Sequence, residues 1–314
     1  MLWMMLSVGI GGMLGAVGEE DRLESWIWEK RDAQVVTKRA KKVKEQDGRF
    51  RLRAGGWSVE TEVDAKFTAE VSCFMEKFEA AFDEVFPFKA TQSAEPTVII
   101  YERKSVFAER FPNGERGAFT YTWTGKKFNE FHLYTYVDVE AERSFENFPY
   151  PVLQHEGAHA LLRRMYGLSE IPVWYDEALG AWFQSYDLRR PLSENRTYGR
   201  YGRSQYFWHL RRLCGKYGEA APPVAVLTDL RREGWNPDQF GTRAKEHYGL
   251  AETLGDFLVN HPKGKKFLKE LHEGVRKGRS YAAVDEKWFK KIEPLWQGHV
   301  QEVLYFRRDA KPKK

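Results

Sequence analysis

The period of hydrophobic and polar positions changes along the chain. "GRFRLRAGGWSVET" (Gly48–Thr61) alternates on either side of a Gly-Gly pair, which predicts two short strands around a turn. From Asp64 to Phe86 the apolar residues Phe67, Val71, Phe74, Phe78, Ala81 and Phe82 recur at three- and four-residue spacing. That pattern predicts a long amphipathic helix with Asp64 as its N-cap. "PTVIIYE" (Pro96–Glu102) reads as a compact buried strand, and Ser105–Phe111 as a short helix. "RGAFTYTW" (Arg116–Trp123) and "NEFHLYTYV" (Asn129–Val137) flank "TGKK" and predict a hairpin. After "NFPYP" helical periodicity takes over, with helices expected at Val152–Tyr166, Val173–Tyr186, Ser204–Lys216, Arg243–Leu258, Lys263–Val275 and Ala283–Tyr305. Strands first and helices second define an α+β fold. A twisted mixed β-sheet with a long helix is expected over 48–147, followed by a mainly helical lobe over 148–305. The charge-rich segment 19–47 ahead of them is expected to be a helix and a linker.

Composition narrows the picture in three places. A chain of 314 residues that is 42% hydrophobic and carries eleven Trp can bury a sizeable, aromatic-rich core. The net charge of +5 is mild. Its basic clusters, "KRAKKVK" (Lys38–Lys44) and the tail at 306–314, do not interleave with aromatics as a nucleic-acid groove would, so no nucleic-acid partner is expected. The N-terminal "MLWMMLSVGIGGMLGAV" carries no charge and is too short and Gly-rich for a comfortable transmembrane helix. It fits a signal-peptide core, with small residues at Ala16–Gly18 for cleavage, although its start lacks the usual Lys or Arg. Residues 1–18 are therefore expected to direct export to the periplasm or the exterior, with no stable membrane insertion after cleavage. A retained segment would instead act as an anchor. Of the two cysteines, neither in a CxxC pattern, Cys73 falls in the apolar helical pattern and is expected to be a buried thiol; export would permit a disulfide with Cys214.

The chemistry concentrates in "QHEGAHALLRRMYG" (Gln154–Gly167). On a helix His155 and His159 point the same way and can hold one metal ion through neutral imidazole nitrogens. Glu156 lies about 100° further round the axis, suited to act as general base on a water activated by that metal. Chance gives His-Glu-x-x-His roughly 0.02 times in a chain of this composition. Two satisfied core histidines are the competing interpretation, because Ala158, Leu161, Leu162 and Met165 also mark an apolar face. Downstream, "IPVWYDEALGAWFQ" (Ile171–Gln184) sets Asp176 and Glu177 among large apolar residues. A carboxylate there is costly unless paired or bound to metal, or it serves the helix dipole.

"HEGAH" followed by "WYDEALGAWF" resembles the gluzincin metallopeptidases, in particular their peptidase-MA-like branch. The resemblance covers Leu153–Gln184. It implies a zincin-like catalytic domain with one zinc ion per chain, held by His155, His159 and Glu177, and Glu156 as the base. Seventeen residues separate His159 from Glu177, close to the usual spacing. Trp174 and Glu177 fit the family pattern, whereas Ala178 stands in place of its Gly and Gly180 in place of its Ala. The resemblance also implies an oxyanion donor from a later helix. Tyr248 is the first choice and His247 the second, with Tyr198, Tyr201 and Tyr206 as rivals. It further implies that the strand Gly117–Trp123 is an edge able to pair with an extended substrate, with a plain structural strand as the alternative. The expected activity is zinc-dependent hydrolysis of a peptide or protein substrate. A zinc- or peptide-binding protein without turnover and a metal-free structural protein are the alternatives. Substrate and oligomeric state are not legible.

Overall fold

The computed structural model describes residues 6–9, 30–87, 89–112, 115–125, 127–138, 149–167, 171, 173–188, 244–277 and 290–300. The expected helix at Ser204–Lys216, the rival residues Tyr198, Tyr201 and Tyr206, and Cys214 lie outside them. The chain divides into two compact units, Met1–Ser169 and Glu170–Lys314.

The first unit is built on a seven-stranded mixed sheet. Its strands are β1 (Leu6–Gly9), β2 (Lys44–Gln46), β3 (Arg49–Ala54), β4 (Trp57–Thr61), β5 (Pro96–Tyr101), β6 (Glu115–Trp123) and β7 (Phe128–Tyr136). Their spatial order is β1-β6-β7-β5-β4-β3-β2. β4, β5 and β7 run parallel to one another, and the other neighbours are antiparallel. Two parallel neighbours need a crossover between them. α2 (Ala65–Val85) connects β4 to β5, as the long apolar periodicity requires. Its N-cap is the expected one: the Asp64 carboxylate accepts from the Phe67 amide at 2.7 Å, which stabilises the helix by about 1 kcal/mol. Cys73 is a buried free thiol on this helix.

Two expectations fail here. Lys44–Gln46 is not linker but a strand paired with β3. Asp47 and Gly48 both take positive φ, at 52° and 71°, and so close a two-residue hairpin turn. The sequence "QDGR" carries that turn signal, but three residues are too few to show alternation. The charged segment contributes its helix as α1 (Lys30–Ala40), which packs on α2 through Val36, Ala69 and Cys73. The second failure concerns β6. It is not an edge, because Leu6–Gly9 pairs antiparallel with it, Leu6 opposite Phe119 and Val8 opposite Gly117.

Alternation along the strands decides what each sheet face meets. On one face, Ala118, Tyr134 and Tyr101 pack with Phe107 and Phe111, which belong to and follow the short helix α3 (Lys104–Arg110). On the other, Gly117, Phe119 and Tyr121 meet α4 (Tyr150–Tyr166). α4 ends where Gly167 takes φ 67°, a left-handed cap that glycine adopts without strain. The carbonyl of Arg164 receives the amides of Thr91 and Gln92, and Arg164 pairs with Glu79 of α2 at 3.0 Å.

The described part of the second unit is helical: α5 (Val173–Gln184), α6 (Ala244–Asn260), α7 (Pro262–Arg276) and α8, residues 290–300. α6 packs along α5. A Cβ on Gly255 would lie 2.1 Å from the carbonyl oxygen of Ala178 and 2.7 Å from Cβ of Trp182, so the two backbones are nearly in contact. Ala178, fully buried, is thus a small residue at a helix crossing. Asp256 on α6 is hydrogen-bonded to His299 of α8 at 2.7 Å and accepts from Asn260 at 2.7 Å. Among the described residues no helix is long and apolar enough to cross a membrane.

Candidate metal centre

α4 is buried on almost every side. Only Pro151 and Arg164 escape the buried class among its 17 residues. The expected apolar face of Ala158, Leu161, Leu162 and Met165 is buried, but so are Gln154, His155, Glu156, His159 and Arg163. Such a helix does not arise from an amphipathic pattern against solvent. Its polar residues are enclosed, and enclosure of charge is unfavourable unless partners or a cation compensate it. Two glycines permit the enclosure. A Cβ on Gly157, inside the motif, would lie 2.7 Å from Phe78 of α2. A Cβ on Gly117 of β6 would lie 2.2 Å from Cγ1 of Val152 and 3.0 Å from Oε1 of Glu156. The Glu156 carboxylate therefore lies directly against the backbone of β6.

The two histidines stand one turn apart, with ring centroids 4.8 Å from each other. His155, His159 and Glu177 are all buried, and each offers a ligand atom within 4.8 Å of the other two. The residues present fit a metal ion. Two imidazoles and one carboxylate form a donor set suited to zinc and to other divalent transition metals.

Of the catalytic residues expected besides the ligands, Glu156 is fully buried on the ligand-bearing helix. Tyr248 is buried on α6, which packs against the helix carrying Glu177. The His247 side chain lies outside the described set. Asp176, the neighbour of Glu177, is buried as well.

Four residues of the surroundings escape a motif reading. Gly117, Phe119 and Tyr121 of β6 line the strand face against α4, and Arg163 is buried one turn beyond His159. A signal for Arg163 was present, since positions 155, 159 and 163 share one helix face. Nothing in the alternation of β6 says which helix its face will meet.

No protein-family model matches this chain, and no curated protein matches it.

Proposed function

We propose that the protein is a zinc-dependent peptidase with a zincin-like catalytic domain of gluzincin type. One observation carries the proposal: His155, His159 and Glu177 form a buried group able to hold a metal ion, and Glu156, at the motif's base position, is buried on the helix that carries both histidines. Bound by those three residues, the metal would supply Lewis-acid polarisation of water and of the peptide carbonyl.

The chain's own residues do the rest. Glu156 accepts a proton from the attacking water as its oxygen bonds to the carbonyl carbon. The same carboxylate then returns that proton to the nitrogen as the C–N bond breaks. Tyr248 is the candidate donor to the carbonyl oxygen. The position of Glu156 against Gly117 supports this division of labour, because a base fixed beside a strand backbone suits an extended peptide lying along that strand. In the full chain Leu6–Gly9 holds the outer edge of β6. Removal of an N-terminal signal segment would free that edge for a substrate.

The test is Glu156→Gln in the full chain, read by metal content and by cleavage of a broad peptide library. The expected result is one zinc per chain with turnover abolished. Glu177→Gln should lower metal content as well. Undiminished cleavage by Glu156→Gln refutes the mechanism. One zinc per wild-type chain without any cleavage leaves an exported zinc- or peptide-binding protein instead.

A further inference from the structure

We propose that Arg163 is a positioning residue for the metal ligand His159, acting through Phe119 of β6. The inference rests on the metal-binding part of the reading above and not on peptide turnover.

Arg163 follows His159 by one helical turn and is almost completely buried, at 2% exposure. Its guanidinium carbon stands 5.2 Å from the ring centre of Phe119 and 5.1 Å from that of Tyr121. Those two residues project from the same face of β6, two positions apart. The Arg163 Nη1 donates to the carbonyl oxygen of His159 at 3.2 Å. Phe119 in turn packs on the imidazole of His159, with centroids 6.1 Å apart and planes at 33°. His159 is thereby held twice by the same arginine: its backbone directly, and its ring through Phe119.

The arrangement has a physical purpose. A histidine ligand binds well only if its ring already points at the metal, because a ring free to turn must give up that freedom on binding. The Phe119 ring limits the imidazole on one side. A planar cation over the Phe119 ring, itself tied to the helix backbone, keeps Phe119 in place. Lysine cannot substitute fully, because its ammonium lacks the plane and the fork. The brace lies outside the His-Glu-x-x-His pattern, and it exists only because β6 crosses α4 at this level.

The experiment measures zinc affinity by competition with a chromophoric chelator for the full-length wild type, Arg163→Met, Arg163→Lys, Phe119→Leu and the Phe119→Leu/Arg163→Met double variant. Urea midpoints of the metal-free proteins are read in parallel. Arg163→Met should bind zinc about 10- to 100-fold more weakly, the range found when a group supporting a ligand is removed. Arg163→Lys should recover part of the loss. Phe119→Leu should also weaken binding, and the double variant should bind no more weakly than the weaker single variant, because both changes cut one path. Zinc affinity in Arg163→Met within about twofold of wild type overturns the proposal, whatever happens to the urea midpoint. Effects that multiply in the double variant overturn the route through Phe119. Should Arg163→Met fail to fold, Arg163→Lys and Phe119→Leu decide by the same criterion. A wild-type chain that binds no zinc overturns the metal reading itself, and that result is distinct because it precedes every comparison.

Discussion

Replacing Gly117 by Ala puts one methyl group into a close contact between β6 and the motif helix. Gly117 is not among the glycines with positive φ, so alanine can adopt the backbone and any cost is steric. The added Cβ would lie 2.2 Å from Cγ1 of Val152, whereas carbon atoms normally rest about 3.5–4.0 Å apart, so helix and strand must separate by roughly 1.5 Å or Val152 must leave its place. Overpacking of this kind costs about 1–3 kcal/mol, and a contact this short belongs near the upper figure. The same methyl would lie 3.0 Å from Oε1 of Glu156, so the proposed base moves too. A misplacement of about 1 Å at a reacting group lowers turnover by about 10²-fold. The double variant Gly117→Ala/Val152→Ala separates the two effects. Removing Cγ1 of Val152 clears the tighter contact but not the one with Glu156. Urea denaturation should therefore find the double variant more stable than the sum of the single losses predicts, while turnover stays low. Two results refute the reasoning: a loss below about 0.5 kcal/mol in Gly117→Ala, or strict additivity of the two stability changes.

Other consequences follow from separate contacts. Gly255→Ala would push a methyl into the Ala178 carbonyl at 2.1 Å, where only backbone can yield, and should destabilise the protein by about 3 kcal/mol in urea; an unchanged midpoint refutes the tight crossing. Burial raises the pKa of Asp256, while His299, Asn260 and Trp182 pull it down. A raised carboxylate binds its proton more tightly in the folded state, so its contribution to stability falls as pH rises through the folded pKa. His299→Leu removes an opposing partner and lifts that pKa further. The loss should reach about 3 kcal/mol near pH 7 and shrink as pH falls and Asp256 protonates; a loss independent of pH refutes the coupling. Burial likewise raises the pKa of the Cys73 thiol. In a Cys214→Ser background it should resist a thiol-reactive disulfide reagent at pH 8 until the protein unfolds, and rapid stoichiometric labelling of the native protein would contradict its burial.

Local patterns located most of the elements, because helices and strands with one buried face write their period into the chain. α2, its Asp64 cap, the Gly55-Gly56 turn and the β6–β7 hairpin lie where the pattern puts them. Patterns failed where no single segment contains the cause. β2 is three residues long and exists through its pairing with β3. β6 loses its outer edge to a partner more than a hundred positions away in the chain. The burial of the polar residues of α4 has the same origin, since helical spacing places His155, Glu156 and His159 but does not say whether that face meets water, β6 or α2.

By itself the sequence determined which residues could hold a metal and on which helices they ride, because spacing of four on a helix is a local property. It also nominated Glu177, through a carboxylate set among apolar neighbours. Only the tertiary structure decided that Glu156 rests on the backbone at Gly117 and that Arg163 lies against Phe119 and Tyr121. Those are contacts between segments far apart in the chain. They are fixed by how closely helix and strand can approach, and a single missing Cβ sets that distance.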